Sequence, residues 1–228
     1  MPHHPAHNVP PRPTADEPPA SQEAPPLPVQ PGQTFLFFGD SITAATPGYL
    51  DVLQQVLSHS RPDLGLRLIN AGLPGNTVRD LAARLDGDVL ARRPDWVVIC
   101  IGANDYFGAA RGRGGVPLAA FDAAYRALVA RLQGAGIDPI LMTIPVIGSD
   151  EEDSPIPDPQ AYNAAIRALA QSAGLCLVDI HRAFSAVYER AAQYKQIVSL
   201  STDGIHPNHQ GHALIARTLV QQLGLLRK

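Results

Sequence analysis

The chain has 228 residues, 45% hydrophobic and 17% charged, which is enough apolar material for one sizeable core. A formal net charge of −3 and a pI near 6.2 exclude the massed basic surface that nucleic acid or an anionic membrane would require. Arg61, Arg67, Arg79, Arg84, Arg92 and Arg93 are interspersed with acids, as on a solvated surface.

Residues 1–33 hold half of the chain's 22 prolines and almost no large apolar side chains. Such a segment cannot bury enough surface to offset the entropy of ordering, so a disordered Pro-rich leader is expected, with the folded domain at 34–228. His3, His4 and His7 could hold a metal ion only adventitiously. The leader lacks the continuous apolar core of a signal peptide, and no run is long enough to span a bilayer, so a cytoplasmic location is expected. Cys100 and Cys176 both lie in apolar, strand-like runs and read as buried free thiols, as a reducing compartment would keep them.

The first element of the domain is the apolar run Phe35-Leu36-Phe37-Phe38, a buried strand broken by Gly39-Asp40-Ser41. Residues 47–60 carry Leu50, Leu53, Val56 and Leu57 on one helical face, ended by Pro62. A second strand is expected over 64–70, running into the turn formers Ala71-Gly72-Leu73-Pro74-Gly75-Asn76-Thr77. A helix follows over 78–93. Residues 96–101 are continuously apolar, as in a strand covered on both faces, and end at Gly102-Ala103-Asn104-Asp105. Gly108, Gly112, Gly114 and Gly115 suggest a mobile loop. Then come a helix over 117–133, a strand over 137–145, an acidic loop over 148–159, a helix over 160–173, a strand over 175–180, a short helix to about residue 193, and a closing helix over 207–223. This alternation predicts an α/β fold: a three-layer αβα sandwich with a doubly wound, flavodoxin-like, five-stranded parallel sheet.

In such a sheet the loops after the strands emerge at one edge, where ligands bind. That brings together Ser41, Gly75-Asn76 and Asn104-Asp105, and the loop Asp203-Gly204-Ile205-His206 can close over them. Acyl transfer needs a nucleophile, a base, a carboxylate to orient the base, and donors for the developing oxyanion. Ser41, His206 and Asp203 can fill the first three roles, since Asp203 precedes His206 by three residues and shares its face of a turn. Gly75 lets a backbone N–H approach a substrate, and Asn104 offers an amide donor. Singly each has a plainer reading: Gly-Asp-Ser as a helix cap, Asn104-Asp105 as a turn, Asp203 as a turn former, His206-Pro207 as a helix start. Their joint occurrence favours the catalytic one. Asp40 and Asp105 read as acceptors that organise loops, and His59, His181, His209 and His212 as surface or packing residues. No metal or other cofactor is implied.

The blocks Gly39-Asp40-Ser41, Gly75, Gly102-Ala103-Asn104-Asp105 and Asp203-Gly204-Ile205-His206-Pro207, in this order, resemble the SGNH/GDSL hydrolase superfamily from residue 35 to the C-terminal helix. The resemblance implies that Ser41 is the nucleophile, His206 the general base and Asp203 its orienting carboxylate. It implies an oxyanion hole of the Ser41 and Gly75 backbone N–H groups with the Asn104 side chain. As in that superfamily, Ser41 lacks the Gly-x-Ser-x-Gly elbow. The expected activity is hydrolysis of carboxylic esters through an acyl-enzyme, on a small-molecule ester, with neither a nucleic-acid partner nor a membrane span. The loops at 106–116 and 146–159 are polar or glycine-rich, which favours small acyl groups such as acetyl on a carbohydrate. Lysophospholipase or thioesterase activity is the enzymatic alternative. A non-catalytic acyl- or glycan-binding module is the alternative of another class.

Overall fold

Four consecutive side chains, Phe35 to Phe38, are buried on both faces of the first strand, β1 (Thr34–Gly39), which therefore sits inside a sheet. The computed structural model describes residues 27–110, 112, 114–145 and 159–226. The leader histidines and nearly all of the acidic loop at 148–159 lie outside them. The other strands are β2 (Arg67–Gly72), β3 (Trp96–Cys100), β4 (Ile140–Met142) and β5 (Leu177–Val178). All pairings are parallel, in the order β2-β1-β3-β4-β5. This is the flavodoxin-like winding expected from the alternating pattern.

The helices are α1 (Ser41–Ala44), α2 (Tyr49–Ser60), α3 (Val78–Asp88), α4 (Ala103–Ala110), α5 (Leu118–Gly134), α6 (Gln160–Ala173), α7 (Ile180–Gln193) and α8 (His209–Gln222). α8 packs against α2 and α7, while α5 packs against α3 and α6, giving a helical layer on each side of the sheet. The apolar stripes foreseen on α2, α3 and α5 face the core: Leu50, Leu53 and Leu57; Leu81 and Leu85; Phe121, Tyr125, Leu128 and Leu132 are all buried. Among the described residues, no helix is long and apolar enough to cross a membrane.

Several boundaries differ from the sequence expectations for definable reasons. Leu64 is buried at the end of a 3-10 turn (Pro62–Leu64) rather than in β2, since burial alone produces the same apolar pattern. α3 stops at Asp88, and a 3-10 turn (Leu90–Arg92) continues its run. β4 and β5 pair over only three and two residues, although the flanking runs are apolar. α8 begins after Pro207, with Asn208 as its cap. The glycine-rich stretch after Asn104 is helical up to Ala110. Two of its four glycines, Gly108 and Gly115, meet at backbone contact, whereas Gly112 and Gly114 stand in open space: a Cβ on Gly115 would run into Ala109 N and Asp105 O, and Val116 N–H donates to that same Asp105 carbonyl (3.1 Å). Residues 27–33, read as leader, lie on the domain. Leu27 and Val29 pack on the core, Gly32 N–H donates to Leu64 O (2.7 Å), and Trp96 Nε1–H donates to Gln33 Oε1 (2.8 Å). Both cysteines are free, Cys100 buried and Cys176 half-buried.

Gly39 and Gly72, the last residues of β1 and β2, are register partners. A Cβ on Gly39 would overlap Cys100 O and Thr43 Oγ1, and one on Gly72 would overlap Ala44 N and approach Asp40 O. α1 therefore lies across the strand ends at backbone contact. Gly72→Ala should destabilise the protein by about 1–3 kcal/mol, the usual cost of forced overpacking. Gly87→Ala, in open space near the end of α3, should instead add about 0.5–1 kcal/mol of helix propensity. Chemical denaturation of the two variants checks the contrast.

Candidate active site

Ser41 stands at the first position of α1. Asp40 caps that helix, its carboxylate accepting the Ile42 N–H (3.0 Å). First-turn N–H groups have no partner inside a helix, so the Ser41 N–H is free of intrahelical bonding. The Ser41 Oγ lies 3.0 Å from His206 Nε2.

His206 sits at the tip of a hairpin-like loop rather than in a helical turn. Ser201 and Pro207 form an antiparallel bridge, and Thr202 N–H donates to His206 O (2.9 Å). Asn208 closes the base: its side chain donates to Ser199 O (2.8 Å) and accepts the Gln210 and Gly211 N–H groups that open α8 (2.9 and 3.0 Å). Within the tip, one carboxylate oxygen of Asp203 accepts the N–H groups of Ile205 and His206 (2.9 and 2.7 Å), and the other lies 2.7 Å from His206 Nδ1. With Nδ1–H donated to Asp203, Nε2 is left as the acceptor for the Ser41 hydroxyl.

Leu73, Pro74, Gly75 and Asn76 form a turn closed by Asn76 N–H to Leu73 O (3.3 Å). Proline second, and glycine third with φ of 81°, is the type II pattern, which only glycine satisfies without strain. The Gly75 N–H has no acceptor among the described residues. Leu73 N–H donates to Gly39 O (3.0 Å), which fastens the turn two residues from Ser41. Asn104 Nδ2 donates to Asn76 O (2.9 Å), and the next residue, Asp105, accepts the Val78 N–H through both oxygens (3.0 and 3.2 Å). The Asn104-Asp105 pair thus clasps the turn and the start of α3.

Arg84 is not the solvated residue that the charge pattern suggested. Its side chain is only 16% exposed and bonds to Asn76, Asp88 and the carbonyls of Gly39 and Ala71. Asn76, Arg84 and Asn208 received no role from the sequence. A charged residue three positions from Leu81 and next to Leu85, at the border of a buried stripe, was the available signal.

The three carboxylates of the site differ by environment. Burial drives Asp40 up to about 7; the Ile42 N–H opposes this and the nearby Asp105 charge adds to it. Burial also raises Asp105, to about 6, against the Val78 N–H. Burial pushes Asp203 upward too, but the His206 and Ile205 N–H groups and the imidazole outweigh it and hold the carboxyl at about 2. Asp40 and Asp105 are hydrogen-bonded loop organisers, as expected, and no three His, Cys, Asp or Glu side chains gather as a ligand set among the described residues. His212 is buried and accepts the Tyr49 N–H (3.2 Å), His181 is buried, and His59 and His209 are exposed.

Residues 37–214 match the GDSL-like Lipase/Acylhydrolase family. The chain is 33% identical over 211 residues to the acetylxylan esterase of Geobacillus stearothermophilus, covering 85% of this chain and 94% of that protein. The crystal structure of Axe2, an acetylxylan esterase from the same organism, superposes with a TM-score of 0.74 at 32% identity, over 88% of this chain and 99% of that one. Catalytic mutants of Axe2 with a serine, an aspartate or a histidine replaced by alanine superpose equally well. Thioesterase 1/protease 1/lysophospholipase L1 of Escherichia coli is 24% identical, over 83% of each chain. The chain belongs to the GDSL-like lipase/acylhydrolase family. It is a carboxylic ester hydrolase.

The elevated Asp40 generates a test. A carboxyl whose folded pKa lies above its unfolded value contributes stability below the unfolded pKa and loses it as pH rises through the folded one. Asp40→Asn keeps the cap acceptor but cannot ionise. Its melting temperature relative to wild type should therefore rise by a few degrees between about pH 4 and about pH 7 and level off above that, read by calorimetry.

Proposed function

We propose that the enzyme removes small acyl groups, acetyl first among them, from a carbohydrate ester, with Ser41, His206 and Asp203 as its triad. The observation that carries this reading is the continuous chain Ser41 Oγ–His206 Nε2 (3.0 Å) and His206 Nδ1–Asp203 (2.7 Å). The similarity to acetylxylan esterases supports the choice of acyl group and of alcohol. The two free cysteines fit a cytoplasmic location.

In this reading Ser41 Oγ attacks the ester carbonyl while His206 Nε2 takes its proton. Asp203, ionised throughout the working range, stabilises the resulting imidazolium. The Ser41 and Gly75 N–H groups and the Asn104 amide receive the oxyanion. His206 then returns the proton to the departing alcohol, and a water activated by the same imidazole releases the acid and frees Ser41.

Hydrolysis of p-nitrophenyl esters from acetyl to long acyl chains, beside acetate release from acetylated xylo-oligosaccharides, tests this. Ser41→Ala should lower kcat on the order of 10⁶-fold, as loss of a serine nucleophile does elsewhere. An acetyl optimum supports the proposal. A long-chain or thioester optimum moves it to the lysophospholipase or thioesterase reading, and an absence of turnover by folded wild type moves it to a binding module.

Activity should also fall on acidification, because His206 must be neutral to accept the proton. A pH–rate profile with no acid limb contradicts its role as base.

A further inference from the structure

The three oxyanion donors belong to three separate segments, and two of them are referenced to one residue. Asn76 follows Gly75 directly and closes the turn that presents the Gly75 N–H. Its carbonyl accepts one N–H of the Asn104 amide (2.9 Å). A planar amide nitrogen carries two hydrogens, so engaging one fixes the direction of the other and settles which end of the amide faces Asn76.

Asn76 is in turn held by its side chain: Arg84 Nε–H donates to Asn76 Oδ1 (2.7 Å). The guanidinium has little freedom of its own. Nη2 donates to the carbonyls of Gly39 and Ala71 (2.9 Å each), Nη1 to Asp88 (2.6 Å), and Cζ lies 4.3 Å over the ring of Phe38. The Asn76 side chain is not needed to hold the start of α3, which already has the Thr77–Asp80 capping box and the Asp105 carboxylate. Its bond to Arg84 serves the turn.

We propose that Asn76 and Arg84 are positioning residues for the oxyanion hole, a fixed link from the ends of β1 and β2 to the Gly75 and Asn104 donors. The inference rests on those donors acting as proposed above. Arg84 contributes through Asn76 and does not itself touch the substrate.

The test is steady-state kinetics on an acetyl ester for Asn76→Ala, Arg84→Met and Asn104→Ala, singly and with each of the first two combined with the third, with melting temperatures measured alongside. Arg84→Met keeps the apolar stem over Phe38 and removes the donors. Asn76→Ala removes one turn side chain, and keeps the inference testable should Arg84→Met fail to fold. Asn104→Ala should lower kcat by about 10²–10³-fold. Asn76→Ala and Arg84→Met should lower kcat by about 10–100-fold with KM little changed, as donors displaced by a fraction of an ångström would. In the Asn104→Ala background that loss should shrink at least about threefold, because one of the donors being positioned is gone.

A normal kcat in folded Asn76→Ala overturns the inference. So does a loss that multiplies undiminished with Asn104→Ala, which marks a general structural role. If Asn104→Ala retains full activity, the oxyanion assignment falls and takes this one with it. If Asn104→Ala is impaired and Asn76→Ala is not, only the positioning role falls.

Discussion

The constraint on which the site depends is the backbone contact between α1 and the ends of β1 and β2. It exists because Gly39 and Gly72, paired in the sheet, have no side chains to hold the segments apart. With α1 seated there, Ser41 is placed directly against the strand ends, and the Asp40 cap orients the start of the helix that carries it. The remaining groups are then built outward from the same strand ends. Leu73 and Arg84 both donate to the Gly39 carbonyl, and the turn they anchor supports Asn104.

Electrostatics separates carboxylates that composition treats alike. Asp40 and Asp105 are buried, each receives backbone N–H groups only, and both are raised. Asp203 is half exposed and has two N–H groups and an imidazole against it, so it remains ionised. A proton-handling site gains from that division. The carboxylate that holds its charge most firmly is the one against the His206 imidazole, whereas burial makes ionisation of Asp40 and Asp105 less favourable.

Much of this was legible in the residues. The parallel sheet followed from runs such as 96–101, apolar on both faces, and the meeting of Ser41 with His206 and of Asn104 with the Gly75-Asn76 turn followed from polar turn formers at strand ends. The helix expected over 160–173 is α6 (Gln160–Ala173), flanked by Pro159 and Gly174. What escaped was long-range in origin. Nothing local separates Leu64 in a buried turn from Leu66 near a strand, because burial in either setting selects the same side chain. Gly108 and Gly115 look like flexibility until the chain folds back and presses one backbone on another. Arg84 carries a charge that belongs on a surface by every local rule, and only the convergence of the Gly39 and Ala71 carbonyls with Asn76 gives it partners indoors.

The loop bearing His206 divides the site unequally along the chain. Asp203 and His206 lie three residues apart and are joined by two hydrogen bonds inside one hairpin tip, where Ile205 N–H donates to the same carboxylate, whereas Ser41 is 165 residues away in sequence from His206. The Asp203–His206 pair is thus preassembled ahead of α8, and the proposed triad is completed by one long-range contact, between Ser41 Oγ and His206 Nε2. The register of that contact is therefore set by how α8 seats against α2 and α7.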